Sequence, residues 1–255
     1  MRVRILCGGA VVRYYYKNKQ QSWENQFHNI SFEFLGKKAC VCFPETRNGK
    51  WIVRPAFLGA FPYVDEKLLK KGYTVAYIDE TNEYGNPNAI EEFDEWIKYV
   101  QLKYNLNSKF IIEGFSRGGF FSLCYAIRHY EKIEKIYLDA PVCDLNSWPR
   151  RNGHTPMLYE DAKRNYKHKG YNIDSLADYP IKHIDTLYKY KIPVLLCYGD
   201  SDKVVPFDEN SKRLHLPLHN SKLYKTIRKH GCGHHPHSLE KTDEIVDFLD
   251  SNDTD

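Results

Sequence analysis

The sequence predicts an α/β fold, a mostly parallel sheet flanked by helices, on three observations. Short apolar runs of strand length alternate with longer amphipathic ones, the rhythm of repeated βαβ units. A glycine-rich junction between a strand pattern and a helix pattern lies at 114–119. The 255 residues, 42% hydrophobic and 27% charged, suit one packed core, so we expect a single domain over 1–255.

In chain order, an aromatic-rich leader precedes a buried strand at Lys38–Phe43. A helical pattern over Val64–Lys71, stopped by Gly72, leads to a second strand, Tyr73–Ile78. An amphipathic helix follows at Ala89–Tyr104, then a strand at Phe110–Glu113, a helix after Ser116 and a strand at Lys135–Asp139. From Pro141 to Asp185 the Pro, Gly, Tyr and charged residues break the pattern, which predicts a cap-like excursion above the sheet after its sixth strand. Regularity returns with a strand at Ile192–Tyr198, a helix near Glu209–Leu214, a strand at Leu223–Ile227 and a last helix at Ser238–Leu249.

Composition excludes several classes of function. The net charge of +4 comes from 37 basic and 33 acidic residues scattered along the chain, without the basic stripe of a nucleic-acid binder. The one basic run, Lys163 to Lys169, is expected to be a solvated face. No stretch approaches the ~18 apolar residues of a membrane helix, so no membrane partner is expected. Seven cysteines, with Cys40, Cys42, Cys124 and Cys197 inside apolar runs, predict free buried thiols and a cytoplasmic protein. The start, Met1 to Val12, is only faintly like a signal peptide, which leaves export as the lesser alternative.

The chemistry centres on Gly114-Phe115-Ser116-Arg117-Gly118, which matches G-x-S-x-G in the strand–turn–helix context of a nucleophile elbow. Glycine is needed there because side chains at Gly114 and Gly118 would collide in so tight a turn. The turn lifts the Ser116 hydroxyl above an α/β-hydrolase sheet, and the following helix aims free N–H groups at developing negative charge. A serine needs a base, and the base needs a carboxylate, in the order Ser, acid, His. Asp202 is the preferred acid, with Asp200 in the same loop read as a turn-holding residue and Asp144 as a distant alternative. His234 is the preferred base, and His235 competes with it.

Four histidines within 230–237 could suggest a metal, but no H-E-x-x-H motif or paired C-x-x-C accompanies them, so no metal and no cofactor are expected. The oxyanion donors are assigned to the Arg117 and Phe57 amides. Arg54 and Trp51, in what reads as a loop from 51 to 62, have one reading as surface and packing residues and another as substrate-binding residues near the mouth that would stack on or hydrogen-bond a sugar.

These blocks resemble a bacterial group of α/β-hydrolases that includes carbohydrate acetyl esterases and acetyl xylan esterase-like proteins. The likeness runs through Trp51–Pro62, Glu113–Gly119, Asp139–Asp144 with Ser147–Pro149, Gly199–Pro206 with Glu209–Asn210, and Gly231–Leu239. It implies Ser-His-Asp acyl transfer on a small ester, foremost an acylated sugar. A peptidase resembling the catalytic domain of prolyl oligopeptidases, or a non-catalytic binding protein on the same fold, are the alternatives.

Overall fold

A computed structural model describes residues 2–7, 10–15, 26–151, 156–219, 222–234 and 241–251. The main sheet has eight strands in the order β10-β9-β8-β7-β5-β6-β4-β3. They are β3 (His28–Phe34), β4 (Lys37–Phe43), β5 (Trp51–Arg54), β6 (Thr74–Ile78), β7 (Phe110–Phe115), β8 (Ile133–Asp139), β9 (Val194–Gly199) and β10 (Tyr224–Lys229). The strands from β6 to β10 across the sheet run parallel, while β4 pairs antiparallel with both β6 and β3. A separate two-stranded antiparallel sheet joins β1 (Arg2–Cys7) and β2 (Ala10–Tyr15).

The central strands are largely apolar because helices cover both faces of the sheet. Ile52 of β5 and Ile111 of β7 are register partners and share one face, while Val53 and Ile112, one residue on, share the other. The helices Pro87–Tyr104 and Arg117–Arg128 pack on the Val53 face, and Tyr63–Lys70 and Asp243–Asp250 on the Ile52 face. Helix Pro87–Tyr104 forms where the sequence places start and stop signals. The Asn86 side chain accepts from the Ala89 amide at 3.0 Å, Pro87 fits the first turn, and Asn105 closes the end at φ 54°. Its buried stripe, Ile90, Phe93, Trp96, Ile97 and Val100, follows the helical period. Each such large side chain contributes about 1.5–3 kcal/mol by leaving water.

The predicted strands and helices are present, the last helix running Asp243–Asp250 with its expected start at Ser238 outside the described residues, and three corrections follow. The leader contains β3, whose turn at Leu35-Gly36 uses two positive φ angles to form a tight hairpin with β4. The 51–62 segment is a loop only after Arg54, since Trp51–Arg54 is the buried strand β5. The excursion after β8, the sixth strand of the main sheet, is helical over Pro156–His168, Ile173–Leu176, Tyr179–Lys182 and Asp185–Lys189. No described helix is long and apolar enough to cross a membrane.

Candidate active site

The order of the sheet sets the site, because the parallel strands end on one edge and open α/β sheets gather functional groups there. Phe57 follows β5, Ser116 follows β7, Asp202 follows β9 and His234 follows β10.

Ser116 occupies φ 49°, ψ −123°, a conformation that costs a non-glycine residue on the order of 1–3 kcal/mol. Backbone hydrogen bonds hold it there. The Ser116 amide donates to the Asp139 carbonyl at 3.0 Å, and its carbonyl accepts from the Gly119 and Val142 amides at 2.9 and 2.8 Å. The glycines permit the approach: a Cβ on Gly114 would lie 2.6 Å from the Gly119 Cα, and one on Gly118 3.0 Å from the Ala56 Cβ. Gly119, just beyond the five-residue motif, is tighter still, since its Cβ would lie 2.4 Å from that of Pro141.

The Ser116 Oγ lies 2.9 Å from His234 Nε2, and His234 Nδ1 lies 2.7 Å from Asp202 Oδ2. Nδ1 therefore carries the proton and donates to the carboxylate, which leaves Nε2 to accept from the hydroxyl. The other Asp202 oxygen accepts from the Val204 and Val205 amides at 2.8 and 2.9 Å, so the carboxylate cannot swing away. All three side chains are largely buried, Ser116 at 8% exposure. His235 and the rest of 235–240 lie outside the described residues.

Asp200 faces elsewhere. It accepts from the Gly231 amide at 2.7 Å and contacts Arg228 Nη2 at 2.8 Å and His230 Nδ1 at 2.7 Å. Arg228, with the Gly231 amide, holds its carboxyl below the usual range. It braces the histidine loop against the aspartate loop. Asp144 pairs with Arg213 and accepts from the Asn146 amide. Among the described residues no group of three or more His, Cys, Asp or Glu side chains could hold a metal; His235 and His237 are not among them.

The Arg117 and Phe57 amides donate to no backbone carbonyl among the described residues. Arg117 opens its helix, where amides have no intrahelical partner. Phe57 sits at φ 60° in the loop that brings Ala56 against Gly118.

Trp51 and Arg54 are not at the mouth. Trp51 is fully buried at the start of β5, the edge away from the elbow, where its Nε1 donates to the Asn107 carbonyl at 2.9 Å. Arg54, also 0% exposed, lies beneath the elbow, bonded to Asp65, to the Ala60 carbonyl at 2.7 Å and to Glu113 Oε1 at 2.8 Å. The charge is tolerated because two buried carboxylates meet it. One cation balances one of them. Burial pushes the Asp65 carboxyl up to about 6 and Glu113 well above the usual range, against the pull of Arg54.

Sequence reasoning missed the Arg117 side chain, with its neighbours Asn82 and Tyr84. The signal was available, since any residue after the nucleophile projects beside it.

A family model described as alpha/beta hydrolase fold matches residues 55–175. No curated protein matches the chain in sequence. Among solved structures, a lipase candidate from Acinetobacter baumannii AYE superposes with a TM-score of 0.62 at 14% identity, over 94% of this chain and 95% of that one. An acylaminoacyl peptidase from Pyrococcus horikoshii gives 0.62 at 16% identity, over 92% of this chain and 42% of that one. A monoacylglycerol lipase from Paleococcus ferrophilus gives 0.52 at 18% identity, over 88% and 98%. With the eight-stranded sheet and its elbow, these likenesses establish that the chain has the α/β-hydrolase fold.

Proposed function

We propose that this protein is a serine hydrolase of small carboxylic esters, acting foremost on acylated, in particular acetylated, sugars. The observation that carries the reading is the continuous chain Ser116 Oγ, His234 and Asp202 at 2.9 and 2.7 Å on a strained elbow. The acylated sugar rests on the resemblance of the sequence blocks. Six described cysteines are free and buried, which supports a reducing, cytoplasmic setting.

In the reaction, Ser116 Oγ attacks the ester carbonyl as His234 Nε2 takes its proton, and Asp202 stabilises the imidazolium. The Arg117 and Phe57 amides receive the oxyanion. The intermediate expels the alcohol, which leaves with the proton from Nε2, and an acyl-serine remains. Water, deprotonated by His234, then attacks the acyl carbon, and the carboxylic acid departs as Ser116 regains its proton.

Turnover of an aryl acetate and of acetylated xylo-oligosaccharides by wild type and Ser116→Ala tests this. The expected result is turnover by wild type and a fall of at least ~10³-fold in the variant. Undiminished turnover by the variant would overturn it, as would a wild-type enzyme that cleaves acylaminoacyl amides in preference to every ester.

A further inference from the structure

Arg117 brings two groups to the site, and the proposed reaction uses only its amide. Its side chain reaches over the loops that follow β5 and β6, on the opposite side of Ser116 from His234 and Asp202, which follow β9 and β10. Nη1 donates to Asn82 Oδ1 at 3.0 Å, and the guanidinium lies 5.4 Å from the centroid of the Phe57 ring, with Tyr84 nearby. None of these neighbours is an anion.

Several other cations packed into this molecule meet carboxylates, while Lys135 meets the Phe248 and Ser251 carbonyls and Arg128 the Cys124 carbonyl and the Tyr179 ring. Arg54 has Asp65 and Glu113, Lys37 has Glu80 and Glu92, Lys132 has Asp94, and Arg213 has Asp144. Arg117 has no carboxylate within ion-pair distance among the described residues. Asp79 and Asp161 act on it from farther away. Asp161 is already engaged by the Tyr84 hydroxyl at 3.2 Å and by Arg164 at 3.4 Å. Burial draws the guanidinium pKa below its usual value, as expected for a partly dehydrated cation without a close counter-ion.

A guanidinium has five N–H donors in a fork that matches a carboxylate; Asn82 and the Tyr84 hydroxyl take part of this set, and the rest is left for a ligand. We propose that the Arg117 side chain binds a carboxylate carried by the substrate, so that the esters this site prefers are anionic. The proposal rests on Ser116 being the nucleophile. The anion belongs either to the acyl part, as in a half-ester of a dicarboxylic acid, or to the alcohol part, as in an acylated uronic acid.

Two substrate pairs distinguish these sources: 4-nitrophenyl acetate against 4-nitrophenyl hydrogen glutarate, and acetylated glucose against acetylated glucuronate. In wild type, kcat/KM should favour the anionic member of one pair by about tenfold or more, the scale of a hydrogen bond to a charged group. Asn82→Asp hands Arg117 the missing carboxylate, so it should collapse that ratio toward one and raise the Tm. Arg117→Gln should collapse the same ratio. The ratio is the readout, because a general loss of fold lowers both members together. A wild-type ratio near one in both pairs, or a preference unmoved by Asn82→Asp, would overturn the proposal while leaving the nucleophile intact. Equal turnover of both members by Ser116→Ala, or no turnover of any of the four esters by wild type, would overturn the nucleophile and the proposal together.

Discussion

Two arginines flank the elbow, one below it and one beside it, and they differ in what surrounds them. Arg54 is sealed in the sheet with two carboxylates and a carbonyl, and it ties β5, the helix Tyr63–Lys70 and the elbow strand together. Arg117 is half-buried at the site with an amide, a phenol hydroxyl and an aromatic ring for partners. A charge enclosed with its counter-charges is structural, whereas one held at a reactive edge without them is suited to a ligand. The sequence invites the reverse assignment, since Arg54 stands in a block that resembles a mouth loop and Arg117 is occupied by its place in the motif.

The largest expected effect separates the two arginines by stability. Arg54→Met leaves Asp65 and Glu113 buried without a cation, and should destabilise the protein by about 3–5 kcal/mol in urea titrations. Arg117→Met should cost less than ~1 kcal/mol, because it leaves no buried charge unpaired. Equal losses would erase the distinction.

A smaller effect lies in pH. The folded state holds protons on Glu113 and Asp65 at pH values where the unfolded chain has released them, because burial raises both groups. Their contribution is therefore greatest below the ordinary carboxyl values and falls as pH rises, for Asp65 up to about 6 and for Glu113 beyond its ordinary range. Glu113→Gln fixes the neutral form and should flatten the decline in Tm between pH 4 and 8. A slope identical to that of wild type would show that Glu113 is ionised throughout.

How much of this was legible follows from where each signal resides. Strands covered on both faces advertise themselves by apolar runs, so β6, β9 and the apolar stretches of β7 and β8 stand out. Ser116 is legible because so tight a turn restricts the residues around it to glycine. β5 is not, since it has four residues and ends on a charge whose burial depends on Asp65 and Glu113, supplied by other elements. Gly119 is likewise hidden, because its constraint is Pro141 from the next crossover. His234 and His235 are neighbours on one loop, and only the path of that loop brings His234 Nε2 to the hydroxyl.

The most direct test of the nucleophile, on which both the proposed reaction and the role of Arg117 depend, is labelling of the folded protein with a fluorophosphonate, followed by mass mapping of the adduct. The account predicts one adduct, on Ser116, which does not form when the protein is unfolded before labelling and does not form in His234→Ala. An unlabelled Ser116 in the folded protein, or an adduct that forms equally without His234, would contradict it.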